Sequence, residues 1–175
     1  MKKIISLVIS LTVIAGVCAA VLAYVNELTK GPIAEMLVKK TVEAAKAVLP
    51  DGTASVDTAQ FADGEEYFVG KDAAGAATGY AVKGSDPGGY GGDVVLMVGF
   101  RADRKTVVCY KTLAASETPG LGMKLNTPEF SGQFAGRDGS SLKVRKDGGD
   151  IEAITSATIT SRAVCRAIAN AQSRL

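Results

Sequence analysis

Histidine is missing from all 175 residues, which removes the usual general base, the commonest metal ligand and every Ser-His or Cys-His catalytic pairing. Hydrolytic chemistry is thereby disfavoured. Cysteine is scarce: Cys18, Cys109 and Cys165 lie far apart and form no C-x-x-C pair, so neither a zinc site nor an iron–sulfur cluster is indicated. Cys109 and Cys165 read either as a bridge formed in an oxidising compartment or, preferably, as two buried thiols. Charge is absent over one long stretch, residues 4–25. As a helix these 22 residues span about 33 Å, enough to cross a hydrocarbon core of about 30 Å. A transmembrane helix is expected, with Cys18 in lipid. A cleaved signal peptide competes with it, but the apolar part of such a peptide runs only about 7 to 15 residues. A lipoprotein signal is weaker still, because Val17 stands where a small residue should precede Cys18.

The formal charge of +2 equals that of Lys2 and Lys3, the only charged residues before Glu27. Everything after the apolar stretch therefore sums to about zero, and nucleic acid is not an expected partner. Lysines at the very start favour a cytoplasmic N-terminus. The chain beyond Val25 then emerges outside, on the periplasmic side of the inner membrane in a Gram-negative cell. With 47% hydrophobic and 22% charged residues, the remainder is sized for one ordinary domain.

Gly31-Pro32 reads as a helix start, and Ile33, Met36, Leu37, Thr41, Ala44, Ala45, Val48 and Leu49 keep helical spacing up to Pro50-Asp51-Gly52. Residues 26–31 read as a short hinge after the membrane helix. Strand character follows at residues 67–70, 80–83, 94–100 and 106–112, separated by Gly, Asp and Pro. The short turn at Ala102-Asp103-Arg104 pairs the last two as a hairpin, and residues 142–144 could add an edge strand. Val164, Ala167, Ile168, Ala171 and Leu175 form one apolar stripe over residues 161–175, with Thr160 or Ser161 as its cap. Strands flanked by helices at both ends give an α+β fold: a single transmembrane helix (1–25), a linking helix (26–52) and one domain (53–175) with an antiparallel sheet flanked by helices.

Ahead of the last helix the chain reads Asp147-Gly148-Gly149-Asp150-Ile151-Glu152-Ala153-Ile154-Thr155-Ser156-Ala157-Thr158-Ile159-Thr160-Ser161. Small hydroxyl residues at a helix start are most simply a cap. The same end also attracts a phosphate, because its first N–H groups lack partners and the helix dipole places about half a positive charge beside them.

Thr155-Ser156-Ala157-Thr158-Ile159-Thr160-Ser161 resembles the S/T-G-A-T-x-[ST]-S segment of FMN-binding subunits, the G subunit of Rnf complexes and the C subunit of Nqr complexes. Ser116-Glu117-Thr118-Pro119-Gly120-Leu121-Gly122 is similar to that family's E-T-P-G-L-G loop. Gly89-Tyr90-Gly91-Gly92 also agrees, ahead of the strand at 94–100. The resemblance implies FMN held covalently by a phosphoester on Thr158 and installed by a separate flavin transferase. Thr155, Ser156, Ala157, Glu117, Thr118 and Leu121 would contact the cofactor. It further implies a non-autonomous redox subunit working with the other subunits of an ion-translocating ferredoxin:NAD⁺ oxidoreductase of the Rnf type. A part like the C subunit of a Na⁺-translocating NADH:quinone reductase is the nearest alternative. A membrane-tethered binding or structural module without flavin is the alternative of another class. The chain departs from the usual transferase motif D-x-x-[ST]-G-A-[ST] in two places, Glu152 at the acidic position and Ser156 where Gly is usual. Glycine there can take φ > 0 and admit close backbone approach.

Overall fold

The computed structural model describes residues 2–175; Met1, first residue of the expected anchor, and the side chain of Lys2 lie outside the described residues. The chain divides into two compact units, Met1–Lys40 and Thr41–Leu175.

Helix α1, Lys2–Val48, supplies all the secondary structure described for the first unit. Its early part shows apolar side chains on every side, with Ile4, Leu7, Leu11, Val17 and Leu22 all exposed. A helix apolar all round suits lipid rather than a half-wet surface, and by length and composition it is able to cross a membrane. The expected hinge at residues 26–31 is helical instead. Thr29 Oγ1 donates to Val25 O at 3.0 Å and Lys30 pairs with Glu27 at 2.5 Å. Nor does Gly31-Pro32 start a helix, since Pro32 lies inside α1. Proline's φ is helical, and although inside a helix it removes one hydrogen bond and crowds the carbonyl four residues back, the helix continues through it here.

In the second unit a five-stranded antiparallel meander runs in chain order: β1 (Ser55–Gln60), β2 (Glu66–Lys71), β3 (Ala77–Gly89), β4 (Gly92–Arg101) and β5 (Val107–Ala115). The α+β class and the β4–β5 hairpin are as expected. Strand β1 escaped the sequence reading because Ser-Val-Asp-Thr-Ala-Gln has little apolar alternation, which an edge strand does not need. Strand β3 runs well beyond residues 80–83, through Pro87, where the pairing shifts between Asp86 and Gly89. Proline cannot donate to a ladder, and this irregularity accommodates it.

The two sheet faces are buried by different helices. Val94, Leu96, Val98 and Phe100 of β4 and Val82 of β3 pack with Val164, Ala167, Ile168 and Ala171 of the last helix, α3 (Thr158–Gln172). Alternate residues point the other way, so Phe68, Ala81 and Met97 meet Ala45, Val48 and Leu49 from the end of α1. Close approach is possible because both contact points are glycines. A Cβ on Gly84 would stand 2.1 Å from Ala167 O, and one on Gly99 only 1.8 Å from Val48 O.

Between β5 and α3 the chain winds through short 3₁₀ turns and one brief helix, α2 (Pro128–Ser131), around Tyr110, Phe130 and Phe134. Tyr110 and Phe134 meet edge to face at 5.5 Å. The expected edge strand at 142–144 is absent: only Val144 pairs, by an isolated parallel bridge to Ile151. A 3₁₀ turn at Arg145–Asp147 follows at once and bends the chain away before a ladder can extend.

Candidate functional site

Two tight turns and the start of α3 converge on a hollow of about 490 Å³ lined by Tyr90, Glu117, Thr118, Leu121, Gly122 and residues 156–160. The first turn is Thr118-Pro119-Gly120-Leu121. Leu121 N–H donates to Thr118 O at 3.2 Å and Gly120 has φ 75°, the arrangement of a type II turn with Pro second and Gly third. In the second, Ala157 N–H donates to Ile154 O at 2.9 Å and the third residue, Ser156, has φ 62°. Ser156 therefore stands in the backbone region where glycine is at ease and serine is not.

Helix α3 begins at Thr158, three residues earlier than the sequence suggests, and no side chain caps it. Its first internal bond runs from Ser161 N–H to Ala157 O, so the N–H groups of Thr158, Ile159 and Thr160 precede the ladder. The two hydroxyls expected to cap serve elsewhere. Ser161 Oγ accepts from Ile154 N–H at 2.9 Å and donates to Ala157 O at 3.0 Å, bracing the second turn. Thr160 Oγ1 donates to Glu117 Oε2 at 2.8 Å. Thr158 is half-buried on the wall of the hollow.

Glu117 knits the site together. It is only 6% exposed, and its other oxygen, Oε1, accepts from Tyr90 N–H at 2.9 Å. The segment carrying Tyr90 lies close: a Cβ on Gly91 would sit 1.6 Å from Ser116 O, and one on Gly122 would sit 2.4 Å from Glu117 Oε2. These glycines are thus required by space. Further along α3, Arg166 forks onto Asp86 with both bonds at 2.8 Å, and Gly88 N–H donates to the same carboxylate at 2.9 Å. The Arg166 hydrogen bond holds the Asp86 carboxyl below its usual range. One turn earlier Arg162 forks onto Asp147, at 2.7 and 2.6 Å, which lowers that carboxyl likewise. Both cations of α3 are thereby engaged away from the hollow, whose lining contains one carboxylate and no lysine or arginine.

Of the residues singled out in the sequence, Ser156, Ala157, Thr158, Glu117, Thr118 and Leu121 come together here. Thr155 does not; it faces a neighbouring hollow with Gln133 and Glu152. Gln133, which the sequence did not suggest, grips the chain ahead of the turn: its Oε1 accepts from Glu152 N–H at 2.7 Å and its Nε2 donates to Glu152 O at 3.2 Å. Ile159 and Tyr90 add exposed apolar surface at the rim; both stood in segments already noted, though neither was singled out there. Cys109 and Cys165 are both free thiols. Burial pushes Cys165 up to about 12, so it is inert packing rather than chemistry.

A hollow of this size, largely apolar with a few converging polar groups, falls in the range of about 300 to 1,000 Å³ common for cofactor sites. A helix start without a side-chain cap is the part of it suited to a phosphate.

Residues 89–173 match the FMN-binding domain family. The G subunit of an ion-translocating oxidoreductase complex from Methanosarcina acetivorans is 33% identical over 97% of this chain and 93% of its own length. The G subunit of the Na⁺-translocating ferredoxin:NAD⁺ oxidoreductase complex from Acetobacterium woodii is 32% identical over 93% of this chain and 87% of its own length. Among solved structures, NqrC of Shewanella oneidensis superposes with a TM-score of 0.53 over 72% of this chain and 66% of that one, at 19% identity, a likeness of fold.

Proposed function

This chain belongs to the family of G subunits of ion-translocating oxidoreductase complexes, and from that membership we propose that it is a membrane-anchored electron-carrier subunit bearing FMN esterified to Thr158. The observation that carries the reading is the position of Thr158: first residue of an uncapped helix, on the wall of a cofactor-sized hollow. Its hydroxyl would bond the phosphate, and the N–H groups of Ile159 and Thr160 would hold the phosphate oxygens. Tyr90, Leu121 and Ile159 would offer apolar surface to the ring, and Thr118 and the turn at Ser156-Ala157 would close around it. Bound there, FMN supplies one- and two-electron redox chemistry. The chain contributes placement and electrostatics, and lacks histidine without loss.

A covalent link suits the compartment. A reversible site with a dissociation constant of about 1 μM would stand almost empty at nanomolar free FMN, whereas an ester is independent of concentration. A separate flavin transferase makes the ester, reading the stretch Glu152 to Thr158. Residues 1–25 act as the single membrane anchor, 26–52 as the linking helix and 53–175 as the flavin-bearing part, on the periplasmic side of the inner membrane. Confinement to the membrane surface raises the effective concentration near the partner subunits. Relatives named as G subunits support an Rnf-type complex, with ferredoxin and NAD⁺ at its ends, over an Nqr-type one.

The test is a denaturing gel of membranes from cells co-expressing the chain and its transferase, viewed under ultraviolet light. Wild type should fluoresce, Thr158→Ala should not, and intact mass should show one FMN minus one water. A dark wild type would replace this reading with a tethered module that carries no flavin.

A further inference from the structure

The one carboxylate on the wall of the hollow, which has no lysine or arginine in its lining, is Glu117, buried to 6% exposure. A buried carboxylate normally has a cation beside it. Here the cations of α3 are committed to Asp147 and Asp86, and Glu117 forms no ion pair among the described residues. Its two oxygens are met only by the Tyr90 N–H and the Thr160 hydroxyl, two neutral donors from opposite sides of the site. Such donors satisfy hydrogen bonds and leave the charge in place. We propose that Glu117 is the residue that sets the reduction potential of the flavin, holding it low by presenting an uncompensated negative charge to the hollow.

The inference rests on the reading that flavin occupies this hollow on Thr158. Two electrons from a donor and one proton from water leave the oxidised ring with one more negative charge than before. A carboxylate in the same poorly hydrated wall repels that added charge. At an effective dielectric of about 20 and a separation of about 10 Å the repulsion changes the reduced-to-oxidised ratio by roughly tenfold or more.

Two conservative variants keep the shape, one removing the charge and the other removing a donor to it. In Glu117→Gln the amide oxygen still accepts from Tyr90 N–H, and the amide NH₂ donates to Thr160 Oγ1, whose hydroxyl has acceptor capacity. Both bonds survive and the charge goes. In Thr160→Val the side chain keeps its volume but withdraws a donor, so the charge on Glu117 is less spread.

The experiment is a mediated potential titration with dithionite on full-length, detergent-solubilised protein. Bound flavin is quantified beforehand by fluorescence on a denaturing gel. Glu117→Gln is expected to raise the midpoint by at least a tenfold change in the reduced-to-oxidised ratio at fixed ambient potential, about 30 mV for a two-electron couple. Thr160→Val is expected to lower it. Flavin-loaded Glu117→Gln with the wild-type midpoint or a lower one overturns the proposal. So does a Thr160→Val midpoint that stays at the wild-type value, which decides the matter by itself should the Gln variant fail to fold or load. A wild type without flavin sinks instead the reading of Thr158, a different and separately visible result.

Discussion

Ser156 occupies a backbone position that its own side chain resists. It and Arg104 are the two non-glycine residues at positive φ among those described, and a single such residue costs about 1 kcal/mol. Among the described residues Ser156 makes no side-chain hydrogen bond to offset that cost. The substitution Ser156→Gly should therefore stabilise the domain by up to about 1 kcal/mol, a rise of a few degrees in melting temperature, and should leave flavin loading at or above wild type. A lower melting temperature would show that the turn is shaped by something other than this strain. The sequence pattern pointed to a glycine-like position here, and the φ of 62° supplies the reason. Glu117 is the opposite case. Its motif was legible, yet nothing in the motif shows a carboxylate buried between Tyr90 and Thr160, because both partners are remote in the chain.

Helix α3 is where elements decide the site. Of its expected apolar stripe, Val164, Ala167, Ile168 and Ala171 are buried, whereas Leu175 is half-buried and lies beyond the helix, which ends at Gln172. Its start was not readable from the sequence. Thr160 and Ser161 look like caps, but tertiary partners, Glu117 for one and the turn at Ile154 and Ala157 for the other, take both hydroxyls into the domain. The helix end they vacate has no side-chain cap. The seat of α3 on the sheet depends on Gly84, across from Ala167 and Ala171. Gly84→Ala should lever the helix off β3, with a loss of about 1 to 3 kcal/mol from overpacking. Because the same helix carries Thr158, the proposed attachment point, flavin loading per mole of protein should fall with it. Unchanged stability together with full loading would mean that the sheet yields rather than the helix.

At the scale of the whole molecule the packed core takes in residues ahead of 53, the second compact unit running over Thr41–Leu175. Ala45, Val48 and Leu49 cover the face of the sheet that α3 does not reach, against Phe68, Ala81 and Met97. A fragment of residues 41–175 should fold cooperatively and remain in solution without detergent. One of residues 53–175 should aggregate, its Met97 face uncovered. Melting curves and size-exclusion profiles of the two fragments make the comparison, and equal behaviour would count against a role for the end of α1 in the core. The full chain should leave membranes only with detergent, as expected from the uncharged run at residues 4–25.

What the sequence determined by itself was local in cause: the long apolar run, the stronger period-two and helical patterns, the Pro-Gly turn and the run of small hydroxyl residues before α3. Each follows from neighbours a few positions apart. The tertiary structure alone decided which hydroxyls cap and which brace, which face of the sheet the end of α1 covers, and that an unpaired carboxylate stands in the same wall as Thr158. Those outcomes depend on groups 27 and 43 positions apart in the chain meeting within hydrogen-bond distance, and it is packing of the sheet against its helices that brings them together.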